Sequence, residues 1–174
     1  DTFGVTPAAF PIFIDGGDPI GMGDLLNLTA DDSSVFSPGP QGDEGAFLID
    51  SMEDARRRTL TLIDGLDATQ LMGPRLPIVN PLRWEIGHTA YFYEYWILRQ
   101  HLGLEPVFAS VDSLYDSISI AHEDRWDLPL PSLEDTLTYM LAVHERVRRH
   151  VEQDGPDPRR DYLLEFAVYH EDMH

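Results

Sequence analysis

Apolar residues recur at helical spacing from about residue 46 onward, and this pattern restricts the chain to a helical fold. Glycine and proline divide the pattern into four stretches, which cover residues 46–65, 80–103, 132–155 and 157–174. Each stretch is long enough to form a helix that buries one apolar face. Four such helices in succession predict an all-α protein folded as an antiparallel four-helix bundle.

The stretch over residues 80–103 is apolar on nearly every side, so we expect it to lie at the centre of the bundle. Asn80 and Pro81 predict its start, with Asn80 as the N-cap and Pro81 as the first helical residue. Gly87 is a poor helix former, by ~1 kcal/mol relative to alanine. A glycine beside His88 makes sense if another group lies close to the backbone there. The connection over residues 104–131 is long, and long connections in compact domains are often functional.

Residues 1–45 differ from the rest of the chain, because they are acidic, contain no basic residue and carry glycine and proline throughout. Such a composition predicts an irregular arm. We therefore divide the chain into an N-terminal arm over residues 1–45 and a helical domain over residues 46–174. Within the arm, residues 10–14 are expected to form a short edge strand or to lie against a partner.

Cysteine and lysine are both absent, which excludes several kinds of chemistry within this chain. Without cysteine there is no disulfide, thiolate ligand or thiol nucleophile, and without lysine there is no Schiff base. The net charge of −19 makes nucleic acid and anionic membranes poor partners. No apolar run approaches the ~20 residues of a membrane-spanning helix. We expect a soluble, cytoplasmic protein.

The strongest candidates for metal ligands are His170 and His174. They lie one helical turn apart, so both imidazoles occupy one face of the last helix, and they continue its apolar stripe into the bundle. A divalent metal would satisfy their ring nitrogens there, and His88 on the central helix is a candidate third ligand. The alternative is a set of hydrogen-bonded core histidines. The spacing also matches the H-E-x-x-H pattern of zinc proteases, in which Glu171 would be the general base.

Arg125 is the lone cation in an acidic part of the long connection. It is either one half of a surface ion pair or a guanidinium that grips a substrate carboxylate bidentately. His122, three residues earlier, is ambiguous. His101, His144 and His150 lie near helix ends or among arginines, and we expect them to be solvated.

Four motifs follow one another in this chain. They are N-P-x-x-W-x-x-G-H ending at His88, L-Y-D-S over residues 114–117, R-W-D-L-P-L-P beginning at Arg125, and H-E-D-M-H over residues 170–174. Together they resemble the N-terminal DinB-like domain of the ergothioneine-type sulfoxide synthases, and the related selenoneine synthases share the pattern. The resemblance covers about residues 46–174 and does not include the arm.

The resemblance implies a mononuclear nonheme iron enzyme in which His88, His170 and His174 hold Fe(II). The implied reaction uses O2 to join a sulfur donor to the imidazole of trimethylhistidine (hercynine) and gives a sulfoxide. In selenoneine biosynthesis a selenium donor takes the place of the sulfur donor.

The resemblance also implies residues that bind the substrates. Arg125 corresponds to an arginine that binds the carboxylate of the donor. Members that use gamma-glutamylcysteine have a second arginine where this chain has His122. This difference argues against gamma-glutamylcysteine and leaves cysteine and a selenium compound as candidate donors. Met173 stands near the trimethylhistidine site, where some members have glutamine.

A second domain, similar to formylglycine-generating enzyme, follows the bundle in this family and supplies the tyrosine proton donor and most contacts to trimethylhistidine. The chain is therefore expected to be a fragment of a two-domain enzyme that does not turn over by itself. The alternatives are a DinB-like, metal-dependent thiol transferase, an H-E-x-x-H zinc hydrolase and a non-catalytic bundle stabilised by a metal.

Overall fold

A computed structural model describes residues 12–14, 24–26 and 44–174. The chain divides into two compact units, Asp1–Gln41 and Gly42–His174. In the first unit, strand β1 (Ile12–Ile14) pairs antiparallel with strand β2 (Asp24–Leu26). One of the two alternatives for residues 10–14 was a short strand, and the structure has a strand at residues 12–14. Most other residues assigned to the arm lie outside the described residues, and the boundary near residue 45 stays a prediction.

The second unit is helical, which confirms the expected all-α bundle. Within residues 44–174 the structure has six α-helices, one π-helical segment and one 3₁₀ turn. These are α1 (Glu44–Ile63), α2 (Ala68–Met72), α3 (Leu82–Tyr93), the π segment (Glu94–His101), α4 (Val111–Tyr115), the 3₁₀ turn (His122–Trp126), α5 (Leu133–Gln153) and α6 (Pro158–Met173). The bundle consists of α1, α5, α6 and the rod made by α3 with the π segment. Among the described helices, none is long and apolar enough to cross a membrane.

Helix α3 is the central element, as its sequence predicts. Every residue from Ile86 to Tyr93 is buried, and Trp84 is buried as well. One side of α3 packs against α5 and another side packs against α6, while α1 packs mainly against α6. Because α3 and α6 are neighbours, His88 on α3 is brought next to the face of α6 that carries His170.

Two of the predicted helix starts are confirmed. The side chain of Ser132 accepts a hydrogen bond from the backbone of Asp135 and caps α5. Asp157 caps α6 by accepting from two backbone N–H groups, and Pro158 follows at the first turn. The cap at Asp157 fixes where α6 begins.

The predicted cap at Asn80 is wrong. Helix α3 begins after Pro81, and no side chain caps it. The amide of Asn80 instead donates from Nδ2 to Glu85 and accepts at Oδ1 from Arg125. The tertiary hydrogen bonds at this position outweigh the local capping preference.

The long connection is largely structured and lies against α3. The indole N–H of Trp84 donates to the carbonyl of Leu114 at 2.8 Å, which fixes α4 beside the central helix. The 3₁₀ turn that follows is anchored at the start of α3, because His122 Nε2 donates to the carbonyl of Val79 at 2.7 Å. The connection thus places Tyr115 and Arg125 near His88.

The expectation that His144 is solvated is wrong. His144 lies one turn after Met140 and almost one turn before Val147, so it shares their buried face of α5. Arg56 Nη2 donates to its Nε2 at 2.9 Å. Burial, together with the charge of Arg56, lowers the pKa of His144 well below its ordinary value.

Candidate metal centre

Three imidazoles converge where α3 meets α6. One nitrogen from each of His88, His170 and His174 lies within 4.8 Å of the others. The ring centroid of His88 is 5.1 Å from that of His170 and 5.0 Å from that of His174. Because His170 and His174 are four residues apart, one face of α6 presents both rings, with centroids 4.5 Å apart.

His88 is held from two directions. Its ring stacks on Trp84 at a centroid distance of 4.5 Å, and its Nδ1–H donates to the carbonyl of Tyr115 at 2.8 Å. This hydrogen bond leaves Nε2 as the nitrogen with a free lone pair. Burial, together with the neighbouring imidazole of His174, lowers the pKa of His88 to about 4, so the ring is neutral at pH 7.

Gly87 permits the contact that orients His88. A Cβ atom on Gly87 would lie 2.2 Å from Cε1 of Tyr115 and 2.3 Å from its Cζ, much closer than carbon atoms approach without bonding. The inference that another group lies against the backbone at this glycine is therefore confirmed. The same close approach brings the Tyr115 carbonyl to the His88 ring.

His170 is buried and stacks on Phe92 with a centroid distance of 3.7 Å and an interplanar angle of 10°. Its Nε2 lies 3.2 Å from Nε2 of His174. Its Nδ1 is buried, and among the described residues it has no hydrogen-bond partner. Burial, together with the neighbouring imidazoles, lowers the pKa of His170 well below its ordinary value.

His174 is oriented by a carboxylate. Its Nδ1 contacts Oε2 of Glu85, and the side chains of both residues are only 17% exposed. Burial by itself would raise the pKa of Glu85, but hydrogen bonds from His174 and Asn80 lower it below its ordinary value. Glu85 is therefore ionised at pH 7. Its carboxylate accepts from His174 and holds the imidazole proton on Nδ1, which leaves the lone pair of Nε2 free.

The three histidines meet the chemical requirements of a metal site. Because the pKa values of His88 and His170 are lowered, protons compete little with a divalent metal for these two rings. Three nitrogens that share one ion at about 2.1 Å are about 3.0–3.6 Å apart, so each ring needs to move by no more than about 1 Å to close the set. The outer nitrogens of His88 and His174 contact a carbonyl and a carboxylate, the usual partners of metal-bound histidines. The site can therefore hold a divalent metal, and imidazole ligands suit zinc, iron, copper and nickel alike.

Glu171 is not placed to act as a base at this centre. Its carboxylate is buried against α1, where it contacts Arg56 Nε at 3.1 Å and accepts from Thr59 Oγ1 at 2.8 Å. Both of these contacts involve Oε1, and Arg56 Nη2 donates to Oε2 at 3.3 Å, so α1 engages both carboxylate oxygens. This arrangement argues against the zinc hydrolase that the H-E-x-x-H pattern suggests.

Arg125 is buried rather than part of a surface ion pair, so that alternative is wrong. Its guanidinium carbon lies 4.1 Å from the ring centroid of Trp84, and its Nη1 donates to Asn80 at 2.8 Å. Trp84 therefore contacts both Arg125 and His88.

The other two predicted substrate residues are His122 and Met173. The ring of His122 donates to the carbonyl of Val79, and its centroid lies 5.3 Å from a ring centroid of Trp126. His122 belongs to the same 3₁₀ turn as Arg125. Met173 is 54% exposed on α6. Both side chains remain predicted substrate contacts.

The contacts of Glu85 with His174 and of the Tyr115 carbonyl with His88 were not predicted from the sequence. One available signal was Glu85 itself, because it is the single acidic residue between Leu82 and Tyr93. A charged residue three positions before a buried histidine lies on the same face of the helix. The carbonyl of Tyr115 left no signal, because any residue supplies one.

Comparison with known proteins places this geometry in a family. The sequence model of the DinB superfamily matches residues 51–174. Hercynine oxygenase of Mycolicibacterium smegmatis is 28% identical over 129 residues, covering 73% of this chain and 30% of the relative. The enzyme of the same name from Mycolicibacterium thermoresistibile is 31% identical over 134 residues, covering 74% of this chain and 29% of the relative. That of Mycobacterium tuberculosis is 30% identical over 128 residues, covering 69% and 28%. The aligned region is thus less than a third of each relative.

Proposed function

We propose that this chain, which belongs to the DinB superfamily, is the iron-binding domain of a nonheme, O2-dependent enzyme that joins a sulfur or selenium donor to hercynine. The observation that carries the proposal is the convergence of His88, His170 and His174 from two separate helices. Similarity to three proteins named hercynine oxygenase supports the choice of substrate. The active unit would be an oxidoreductase of the sulfoxide synthase type.

The three histidines would hold Fe(II), each through the nitrogen that faces the other two rings. When bound, Fe(II) supplies the one-electron and O2 chemistry that side chains cannot perform. The residues around the rings hold them in place. Trp84 and Phe92 cover the faces of His88 and His170, which keeps water away from those sides.

Donor recognition would depend on the 3₁₀ turn. Arg125 would neutralise the carboxylate of the donor, and Met173 would contact hercynine. His122 lies three residues before Arg125, and side chains at that spacing share one face of a 3₁₀ helix. In the full-length enzyme, His122→Arg would add a second guanidinium on this face. We expect it to raise kcat/KM for gamma-glutamylcysteine relative to cysteine by about tenfold, as one added charge pair provides. An unchanged ratio would contradict the assigned role of His122.

A second domain is part of the proposal. The matched region covers 28–30% of the relatives, so the proton donor and most contacts to hercynine are assigned to sequence beyond this domain. We expect the 174-residue chain to bind iron but not to turn over.

Iron binding in the full-length protein tests the proposal most directly. The protein is purified without O2, and its Fe(II) content and affinity are measured for the wild type and for His88→Ala, His170→Ala and His174→Ala. Each substitution removes one of three ligands, so we expect near-complete loss of bound iron. His150→Ala is the matched control, because this ring contacts Asp154 at the surface of α5. Unchanged iron stoichiometry in the three variants would reject the proposal.

The requirement for O2 separates the proposal from the thiol transferase alternative. Hercynine and a thiol donor are supplied to the iron-loaded enzyme with and without O2, and the products are identified by mass. We expect a hercynine–sulfur adduct to form only when O2 is present, and we expect this adduct to carry added oxygen. Product formation at the same rate without O2 would favour the transferase.

A further inference from the structure

Four side chains from separate parts of the chain form one series of polar contacts that ends at the metal centre. Arg125 Nη1 donates to Asn80 Oδ1 at 2.8 Å, and Asn80 Nδ2 donates to Glu85 Oε1 at 2.6 Å. The other oxygen of Glu85 contacts His174 Nδ1. The 3₁₀ turn, the residue before Pro81, helix α3 and helix α6 each contribute one member.

The chemistry of the first member sets the direction of every later bond. A guanidinium can only donate, so the oxygen of Asn80 must face Arg125 and its NH2 group must face Glu85. A carboxylate can only accept, so His174 must donate from Nδ1. The lone pair of His174 is therefore on Nε2, the nitrogen that lies 3.2 Å from Nε2 of His170.

We infer that Glu85 is a positioning residue of the metal centre, and that Asn80 and Arg125 hold it in the orientation that keeps the Nε2 lone pair of His174 available. The inference rests on the proposed function, because it takes His174 as a metal ligand. It also explains why Asn80 does not cap α3: its amide is used in this series. An acceptor that fixes the tautomer of a metal-binding histidine strengthens metal affinity by about 10- to 100-fold.

A glutamine at position 85 would test the direction of the series, because it presents one acceptor and one donor group in place of two acceptors. Asn80 Nδ2 and His174 Nδ1 are both donors, and Arg125 prevents the Asn80 amide from turning. Whichever way the glutamine lies, its NH2 group therefore meets a donor. If that donor is His174, the proton moves to Nε2 and blocks the metal-binding lone pair.

The experiment measures Co(II) binding and the visible absorption of bound Co(II) in the full-length protein. For Glu85→Gln we expect affinity to fall by about 10- to 100-fold and the absorption bands to shift. Adding Asn80→Ala frees the glutamine to turn its oxygen toward His174. The double variant should therefore bind about 3- to 10-fold more tightly than Glu85→Gln alone, as one recovered hydrogen bond provides. Glu165→Gln, on the surface of α6 beside Tyr169, is the matched control and should bind like the wild type.

Each outcome has a defined meaning. Wild-type affinity and spectrum in Glu85→Gln, or a double variant weaker than Glu85→Gln, would overturn the positioning role while the proposed function stands. A wild-type protein that binds neither Co(II) nor Fe(II) would overturn both. Asn80→Ala alone leaves the Glu85 carboxylate in place, so its affinity should fall by less than that of Glu85→Gln. A larger loss than in Glu85→Gln would also overturn the assigned order of the series.

Discussion

Gly87 lies so close to the ring of Tyr115 that one added methyl group should destabilise the domain and weaken metal binding. In Gly87→Ala the new carbon would be 2.2 Å from Cε1 of Tyr115. Carbon atoms pack at about 3.5 Å or more, so the ring must move by more than about 1 Å. Tyr115 is only 1% exposed and stacks on Tyr139 at a centroid distance of 5.8 Å, so little space exists for that movement.

Two opposing energies determine the size of the effect. Alanine is a better helix former than glycine by up to about 1 kcal/mol. Overpacking of a filled core costs about 1–3 kcal/mol, and the close contact here places Gly87→Ala at the upper end. We therefore expect a net loss of about 2 kcal/mol. Because displaced Tyr115 also moves the carbonyl that orients His88, Co(II) affinity should fall by about 10- to 100-fold.

The assay is urea denaturation of the metal-free full-length protein, because bound metal would add its own stabilisation. The critical comparison is the same glycine substitution in a Tyr115→Leu background, where the clashing ring atoms are gone. There Gly87→Ala should be neutral or stabilising by up to about 1 kcal/mol, which gives a coupling energy of about 2–3 kcal/mol. Equal destabilisation in both backgrounds would refute the steric reasoning.

Three further predictions concern groups outside the histidine cluster. Burial lowers the pKa of His144 in the folded protein. As the pH falls below about 6.5, His144 is therefore protonated in the unfolded chain while it stays neutral in the folded one. The free energy of unfolding then falls by up to about 1.4 kcal/mol per pH unit. His144→Gln should lack this contribution in urea denaturation at pH 7, 6 and 5, and equal pH slopes would contradict it. Asp157→Ala removes the cap of α6 and should cost about 1 kcal/mol in the same assay, whereas an unchanged midpoint would show that the cap contributes nothing. Glu171→Gln leaves the buried guanidinium of Arg56 without its counter-charge and should cost about 3 kcal/mol. Full stability with loss of a peptidase activity would instead support the hydrolase.

Several features of this protein were predictable because they depend on residues within one or two helical turns. Local backbone geometry and side-chain patterning determine the helical period, the caps at Ser132 and Asp157, and the central position of α3. The spacing of His170 and His174 likewise decides that one helix face presents both rings. The poor helix propensity of Gly87 was enough to indicate a close neighbour.

The partners of the buried polar groups were decided only by the tertiary structure. Asn80 carries a strong local capping signal, yet its amide hydrogen-bonds Glu85 and Arg125. His144 is among arginines in sequence, but the one that binds it is Arg56, 88 residues away. The physical reason is the same in each case. A buried polar group must find a partner, and the packing of distant segments determines which partner is within about 3 Å.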